Sequence, residues 1–143
     1  MPKLFWPVPG GHVTSPWGYR LDPITKQPEG HNGIDLRAAE GTPLRAPADG
    51  KVLKVWSDAL NGHAMKIDVG NNLVLGFAHL QSTAAAEGDS FSAGDVLAHT
   101  GGGGPNEGHS TGPHLHLTVR VGGQLTDPLQ AATWAEQPAE LAA

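Results

Sequence analysis

The stretch "TGPHLHLTVRV", residues 111–121, places two histidines one residue apart at the start of an alternating apolar run. In a β-strand successive side chains point to opposite faces, so His114 and His116 share one face. The other face carries the apolar side chains of Leu115, Leu117, Val119 and Val121. This alternation predicts a strand whose apolar face enters a core. The aligned imidazoles indicate metal binding or proton transfer, and the alternative is a chance pairing on a solvated strand face.

The rest of the chain predicts an all-β fold. Its 20 glycines and 12 prolines fall between short segments with the composition and alternation of strands. The predicted strands cover residues 51–57, 63–69, 73–80, 95–99 and 114–121, with weaker ones near 13–19 and 33–37. One short helix is predicted at 128–134, where Asp127 is the N-cap and Pro128 the first helical residue.

The length of 143 residues fits a single domain, 1–143. We expect its core to span about 12–130 and the end of the chain, 135–143, to form a flexible tail. The longest irregular segment is "TGGGGPNEGHSTGP", residues 100–113, whose consecutive glycines predict a mobile loop. This loop lacks the Gly-Lys-Ser/Thr ending of a phosphate-binding loop.

Composition excludes several classes of partner. The chain has no cysteine, so any transition metal must be held by His, Asp or Glu. The net charge is −5 and the nine Lys and Arg residues are scattered, which argues against nucleic-acid binding. No apolar run reaches transmembrane length, and the N-terminus lacks the apolar core of a signal peptide. We therefore expect a soluble protein without a nucleic-acid or membrane partner.

The segment "GHNGIDL", residues 30–36, offers a second pair of metal-ligand side chains, His31 and Asp35. In a straight strand their Cα atoms would lie about 13 Å apart, too far to share a zinc ion with bonds of ~2.0–2.2 Å. Both side chains can bind one metal only if the chain bends, and Gly33 gives it that freedom. The alternative is that Asp35 caps a turn and His31 is exposed.

The segment "GFAHL", residues 76–80, places His79 at the end of an apolar strand. On its own, this histidine is expected to be a hydrogen-bonded residue at the core boundary rather than a catalyst. The remaining histidines have no comparable context and are expected at the surface, although one of them lies in the glycine-rich loop: His12, His63, His99 and His109.

Four segments together resemble one protein family. In order along the chain they are "RLDPITKQPEGHNGIDL", "GTPLRAPADGKV", "FAHL" and "STGPHLHLTV". They look like the lysostaphin-type (LytM-like) zinc metallopeptidases, which cut the peptide part of peptidoglycan, and the resemblance spans roughly residues 15–128. It implies an all-β, antiparallel fold with a duplicated hybrid motif, similar to a barrel-sandwich, and one zinc ion per chain. The implied zinc ligands are His31, Asp35 and His116, and the implied catalytic residues are His79 and His114.

The resemblance also implies a mechanism. Two imidazoles and one carboxylate leave a fourth position on tetrahedral zinc, as in a catalytic site. Zinc lowers the pKa of a bound water toward about 7 and polarises the scissile carbonyl. We expect His114 to be the general base and His79 to hydrogen-bond the oxyanion or the attacking water, and these two roles can be exchanged.

Two departures from the family concern substrate preference rather than the ligands. The loop 100–113 is longer and richer in glycine than the compact family form, and Phe77 stands where the family often has tyrosine. Family members cut either pentaglycine bridges or directly cross-linked stem peptides, and here direct cross-links are favoured. The monomer is the default oligomeric state.

Two other functional classes remain open. The glycine-punctuated hairpins also resemble the sugar phosphotransferase enzyme IIA, in which His79 or His114 would carry a phosphoryl group. The other alternative is a catalytically silent wall-binding module.

Because no export signal is visible, access to the wall needs an explanation. A bacteriophage endolysin that passes a holin pore, a virion component, or a bacterial enzyme without its signal would each fit.

Overall fold

The computed structural model describes residues 1–22, 24–104, 107–108, 110 and 112–138, which form short strands and one helical turn. In chain order the elements are β1 (Lys3–Phe5), β2 (Val13–Ser15), β3 (Gly18–Leu21), β4 (Pro28–His31), β5 (Ile34–Leu36), β6 (Pro43–Arg45), β7 (Gly50–Asp58), β8 (Gly62–Asp68), β9 (Leu73–Thr83), β10 (Ser90–Phe91), β11 (Val96–Thr100), β12 (Leu115–Val121), β13 (Gln124–Thr126), α1 (Pro128–Ala131) and β14 (Thr133–Ala135). The expected all-β class is confirmed.

The main sheet is antiparallel and runs in the order β10-β7-β8-β9-β12-β5-β2. Strands β6 and β11 join it through β9, and β13 pairs with β12. Strand β12 lies between β9 and β5, and there His116 is the cross-strand partner of both Ala78 and Asp35. This register brings one predicted ligand beside another.

The apolar face of the sheet forms the core. On β12 the side chains of Leu115, Leu117 and Val119 are fully buried, as the alternation predicts. The largest fully buried side chains come from most strands of the sheet: Phe77, Ile34, Leu36, Leu44, Met65, Ile67, Leu73, Leu75, Leu80, Leu97, Leu115 and Leu117. The predicted strands at 51–57, 63–69, 73–80, 95–99 and 114–121 correspond to the long strands β7, β8, β9, β11 and β12.

The N-terminal half differs from the prediction. The expected strand at 13–19 is divided into β2, which pairs with β5, and β3, which pairs with β4 in a separate hairpin. Pro16 has no N–H to donate to a ladder, and Gly18 has φ +104°, a conformation that side chains disfavour. These two residues end one strand and turn the chain into the next.

The predicted helix at 128–134 is wrong in its second half. Asp127 accepts a hydrogen bond from the Leu129 backbone N–H at 3.0 Å, so the predicted N-cap is confirmed. The helix ends at Ala131, because Thr133–Ala135 pairs in parallel with Lys3–Phe5. Trp134 also stacks on Trp6 with ring centroids 4.8 Å apart, and this tertiary contact outweighs the helical preference of a short segment.

The first residues of the expected flexible tail, 135–143, are hydrogen-bonded to the rest of the domain. Glu136 accepts a hydrogen bond from Gly10 N–H at 2.7 Å, and Gln137 Nε2 donates to the carbonyls of Trp6 and Ala46. Residues 139–143 lie outside the described part of the chain. The core likewise extends beyond the expected 12–130, since it includes Leu4, Val8 and Ala132 at its ends.

Gly33 is required for a reason other than the expected freedom to bend. Its φ is not positive, but a Cβ at this position would lie 2.2 Å from the Leu117 carbonyl oxygen. Glycine therefore lets the segment between His31 and Asp35 pass directly against β12. The close approach brings the two residues to the same point as His116.

We predict that Gly33→Ala lowers the free energy of unfolding by about 1–3 kcal/mol, because the backbone must move to admit the methyl group. Denaturant unfolding of the zinc-free protein measures this. Gly30→Ala is the matched control, since nothing lies within 4 Å of a Cβ there. Equal stability of the two variants would contradict the account of Gly33.

Within the described part of the chain, no helix has the length and apolar character needed to cross a bilayer.

Candidate metal centre and catalytic site

A cavity of about 720 Å³ opens on the polar face of the sheet. Among the residues that line it are all five that the sequence singled out: His31, Asp35, His79, His114 and His116. The other described histidines, His12, His63 and His99, do not line it, and His109 lies outside the described residues. The structure therefore brings the predicted residues together in one place.

Three of these side chains converge within hydrogen-bonding range of one another. His116 Nδ1 lies 2.9 Å from Asp35 Oδ1, and His31 Nε2 lies 3.3 Å from both of these atoms. Ligands bound to tetrahedral zinc at ~2.0–2.1 Å are themselves about 3.3 Å apart, so the spacing fits one shared ion. These residues form a His-Asp-His site compatible with a single zinc ion.

The second nitrogen of each histidine in this set is held by an oxygen that can only accept. His31 Nδ1 donates to the Pro16 carbonyl at 2.7 Å, and His116 Nε2 donates to Asn32 Oδ1 at 2.8 Å. Each outer nitrogen therefore carries a proton, and His31 Nε2 and His116 Nδ1 are the nitrogens that face the shared position. Partners of this kind orient metal-bound histidines and raise their basicity.

Asp35 is ionised despite its burial. Burial is the largest influence and raises the pKa of this carboxyl, but hydrogen bonds to His116 and His31 and the nearby charge of His114 and His116 lower it. Together these interactions hold the pKa well below its ordinary value. A carboxylate at neutral pH is the form that binds a divalent cation.

We predict that Asn32→Ala weakens zinc binding about 10- to 100-fold, because His116 loses the acceptor that orients its ring. Competition with a fluorescent zinc chelator measures the dissociation constant. Asn32→Asp is the matched variant, since a carboxylate still accepts from Nε2 and should keep or strengthen binding. Equal zinc affinity of wild type and the alanine variant would show that Asn32 does not orient the ligand.

His79 reaches the cavity through an irregularity in β9. Ala78 and His79 together oppose the single residue Ala64 of β8, because the register passes from Phe77↔Met65 to Leu80↔His63. His79 occupies the left-handed region with φ 62°, which reverses the inward direction that strand alternation would give it. The sequence contains no signal for this bulge.

Two hydrogen bonds hold His79 in this conformation. Its backbone N–H donates to the Asn61 carbonyl at 2.7 Å, and its Nδ1 donates to the Glu107 carbonyl at 2.8 Å. Burial lowers the pKa of His79 to about 4, although the hydrogen bond to Glu107 opposes this effect. The ring is thus neutral at pH 7, with the lone pair on Nε2.

His114 is arranged in the same way on the other side of the site. Its Nδ1 donates to the Gly112 carbonyl at 2.9 Å, and Ser110 Oγ lies 3.3 Å from the same nitrogen. Its Nε2 lies 3.7 Å from Asp35 Oδ1, next to the three converging side chains. The rings of His79 and His114 are 5.1 Å apart between centroids, so one small molecule can contact both.

Comparison with known proteins agrees with this geometry. The family described as Peptidase family M23 matches residues 29–128. The DD-carboxypeptidase/endopeptidase Mpg of Neisseria meningitidis serogroup B is 38% identical over 120 residues, which cover 84% of this chain and 27% of that protein. The chain thus spans about a quarter of the length of this relative.

Solved structures show the same fold. A zinc-containing peptidase from Vibrio cholerae superposes with a TM-score of 0.75 at 28% identity, covering 90% of this chain and 39% of that one. The antimicrobial peptidase lysostaphin from Staphylococcus simulans gives a TM-score of 0.69 at 25% identity, covering 83% and 48%. Since the family match over residues 29–128 includes every residue of the candidate site, this chain belongs to peptidase family M23.

Proposed function

We propose that the chain is a zinc-dependent endopeptidase that hydrolyses peptide cross-links of bacterial peptidoglycan. The observation that carries this proposal is the convergence of His31 Nε2, Asp35 Oδ1 and His116 Nδ1 on one position, with two further histidines beside it. Three protein ligands and an open side facing a cavity are typical of catalytic zinc sites, whereas structural sites are closed by a fourth ligand.

The donor set fits zinc by charge as well as by spacing. His31 Nε2 and His116 Nδ1 face the shared position, and Asp35 supplies one negative charge. When bound, zinc would supply a Lewis acid for the scissile carbonyl and an acidified water at neutral pH. The remaining steps depend on the protons that the side chains of the chain accept and return.

We assign the general base to His114. Because Nδ1 donates to Gly112, Nε2 is the nitrogen available to accept a proton, and it lies beside the proposed ligand Asp35. His114 Nε2 accepts a proton from the attacking water and later returns it to the leaving amine, which is the usual course of general acid–base catalysis.

His79 fits one of its two expected roles better than the other. With Nδ1 donating to Glu107 and a pKa lowered to about 4, Nε2 is an acceptor and has no proton to give an oxyanion at pH 7. We therefore assign His79 to the attacking water, whose O–H it accepts and orients. This arrangement holds the water between two imidazoles.

The cavity supports a preference for directly cross-linked stem peptides. Among the described residues that line the cavity, Arg37 is the one with a permanent positive charge. It follows Asp35 by two residues in the sequence. Stem peptides carry free carboxylates near the cross-link, whereas a pentaglycine bridge has none within its length. The relative Mpg is named as a DD-carboxypeptidase/endopeptidase, which agrees with this substrate class. The monomeric state and the route to the wall stay predictions from the sequence.

Digestion of purified peptidoglycan, followed by mass spectrometry of the products, tests this proposal. We expect the zinc-loaded chain to convert directly cross-linked muropeptide dimers to monomers, and we expect a zinc chelator to stop the reaction. Peptidoglycan with pentaglycine bridges serves as the parallel substrate. If both walls stay intact while zinc is bound, the enzyme proposal fails, and retention of the protein on the wall would then identify a binding module.

A further inference from the structure

The glycine-rich loop contains a buried carboxylate that neither zinc binding nor the proposed proton transfers use. Glu107 is 7% exposed, and its Oε1 accepts a hydrogen bond from the Gly102 backbone N–H at 2.8 Å. A buried carboxylate is costly unless it is hydrogen-bonded. Because Glu107 lies beside the two proposed catalytic histidines, we expect its carboxylate to serve the geometry of the site.

The glycines of this loop make room for that carboxylate. A Cβ at Gly101 would overlap Glu107 Oε1, and a Cβ at Gly104 would overlap Glu107 Oε2. In its described part, the glycine-rich loop surrounds the carboxylate of Glu107. Any larger residue at these two positions would displace the carboxylate.

The backbone of Glu107 is attached to His79. The Glu107 carbonyl accepts the proton of His79 Nδ1 at 2.8 Å, so it fixes the tautomer of this ring. The next residue, Gly108, approaches so closely that a Cβ there would lie 2.6 Å from His79 Nδ1. On its other side, the Glu107 backbone packs against Gly62, where a Cβ would also overlap it.

The carboxylate of Glu107 is connected to His114 as well. Gly101 forms a β-bridge with His114, whose backbone N–H donates to the Gly101 carbonyl at 3.1 Å. Gly102, the next residue, donates its own N–H to Glu107. A continuous series of contacts thus runs from His79 through Glu107 and the two glycines to His114.

A second carboxyl group completes the surroundings of Glu107. The pKa of Glu40 is raised above its ordinary value, first by a hydrogen bond with Glu107, then by desolvation and by the negative charge of Glu107. A glutamine at position 107 keeps the acceptor for the Gly102 N–H, and its amide N–H can donate to Glu40.

We propose that Glu107 is a positioning residue for both catalytic histidines: its carboxylate fixes the loop whose carbonyls hold His79 Nδ1 and the backbone of His114. The inference rests on the proposed function, because it takes these two histidines as the groups that handle protons. Glu107 itself does not line the cavity and is not one of the three residues that converge on the zinc position.

The first arm of the test is kinetic and uses the zinc-loaded full chain with a soluble cross-linked muropeptide dimer. We expect Glu107→Ala to lower kcat about 10- to 100-fold at nearly unchanged KM, because a displacement of ~1 Å has such an effect on catalytic groups. Glu107→Gln should restore most of the activity. Glu87→Ala is the matched control, since Glu87 also accepts a backbone hydrogen bond, from Val55 N–H at 2.9 Å, whereas the His79 Nδ1 proton goes to the Glu107 carbonyl.

The second arm is spectroscopic and does not depend on activity. In ¹⁵N-histidine-labelled protein, the proton on His79 Nδ1 should give a slowly exchanging, downfield signal in wild type and Glu107→Gln. We expect Glu107→Ala to lose this signal while zinc content stays at the wild-type level. This arm reports on the Glu107–His79 contact even if the protein hydrolyses no peptide.

Several results would overturn the inference. A Glu107→Ala protein with wild-type kcat, or with the His79 signal intact, would show that the carboxylate positions nothing. A rise in KM alone would assign Glu107 to the substrate side. If Glu107→Ala fails to fold and Glu107→Gln folds but lacks both activity and the signal, the rescue argument fails. A wild-type protein that shows the His79 signal but hydrolyses no peptide would contradict the proposed function and leave the Glu107–His79 contact in place.

Discussion

Replacing Asp35 by alanine should leave the chain without bound zinc and lower peptide hydrolysis about 10³-fold or more. The carboxylate supplies the one negative charge of the proposed ligand set and contacts His116 Nδ1 at 2.9 Å. Its loss removes both a ligand and the Lewis-acid assistance worth several kcal/mol in the transition state. His31→Ala and His116→Ala should behave in the same way.

Metal analysis of the dialysed proteins, together with hydrolysis of a cross-linked muropeptide, measures this effect. Asp68→Ala is the matched control, because Asp68 is exposed and its carboxylate accepts a local hydrogen bond from Gly70 N–H. The control should keep one zinc per chain and full activity. An Asp35→Ala protein that retains zinc and hydrolysis would remove Asp35 from the ligand set.

His79→Ala and His114→Ala should each retain zinc and yet lose most hydrolysis. We expect a decrease of about 10²- to 10⁴-fold in kcat, the usual contribution of a positioned general acid or base. Zinc is retained because neither ring belongs to the converging set of His31, Asp35 and His116. The combination of full metal content and low kcat separates these residues from the ligands.

The control for these variants is His99→Ala, since His99 is a partly exposed histidine that does not line the cavity. It should match wild type in both zinc content and rate. A His114→Ala protein that cleaves at nearly the wild-type rate would reject His114 as the base. If His79→Ala alone were inactive, the base would be reassigned to His79.

The strand that carries the site could be predicted from the sequence because strand alternation is a local property. Leu115, Leu117 and Val119 repeat every second residue, so the parity of His114 and His116 follows directly. The structure agrees, with those three apolar side chains fully buried and both histidines at the cavity. The grouping with His31, Asp35 and His79 came from family resemblance, since pairing between distant strands has no local signal.

Other parts of the site could not be predicted because they depend on tertiary contacts. The bulge that turns His79 outward requires two residues of β9 to oppose one of β8, and its sequence is that of an ordinary strand. Gly33 indicated a bend in the chain, whereas the structure requires glycine there because the Leu117 carbonyl approaches too closely for a Cβ. The acceptors that fix the histidines, such as the carbonyls of Pro16 and Glu107, are backbone atoms that no side-chain pattern reveals.

Near the end of the chain, tertiary contacts also decide the secondary structure. Residues 128–134 have a good helical start, with Asp127 and Pro128 in their expected positions. The helix nevertheless stops after one turn, because Thr133–Ala135 finds a partner strand at the opposite end of the chain. A short segment has little helical stability of its own, so a distant strand decides its conformation.

Zinc titration of the chelator-treated protein tests whether hydrolysis requires one bound zinc ion. The rate is followed with a purified, directly cross-linked muropeptide dimer. The metal-free chain should be inactive, and the rate should rise linearly with added zinc and level off at one ion per chain. A rate that is the same without zinc, or zinc bound at one per chain with no hydrolysis, would contradict the account.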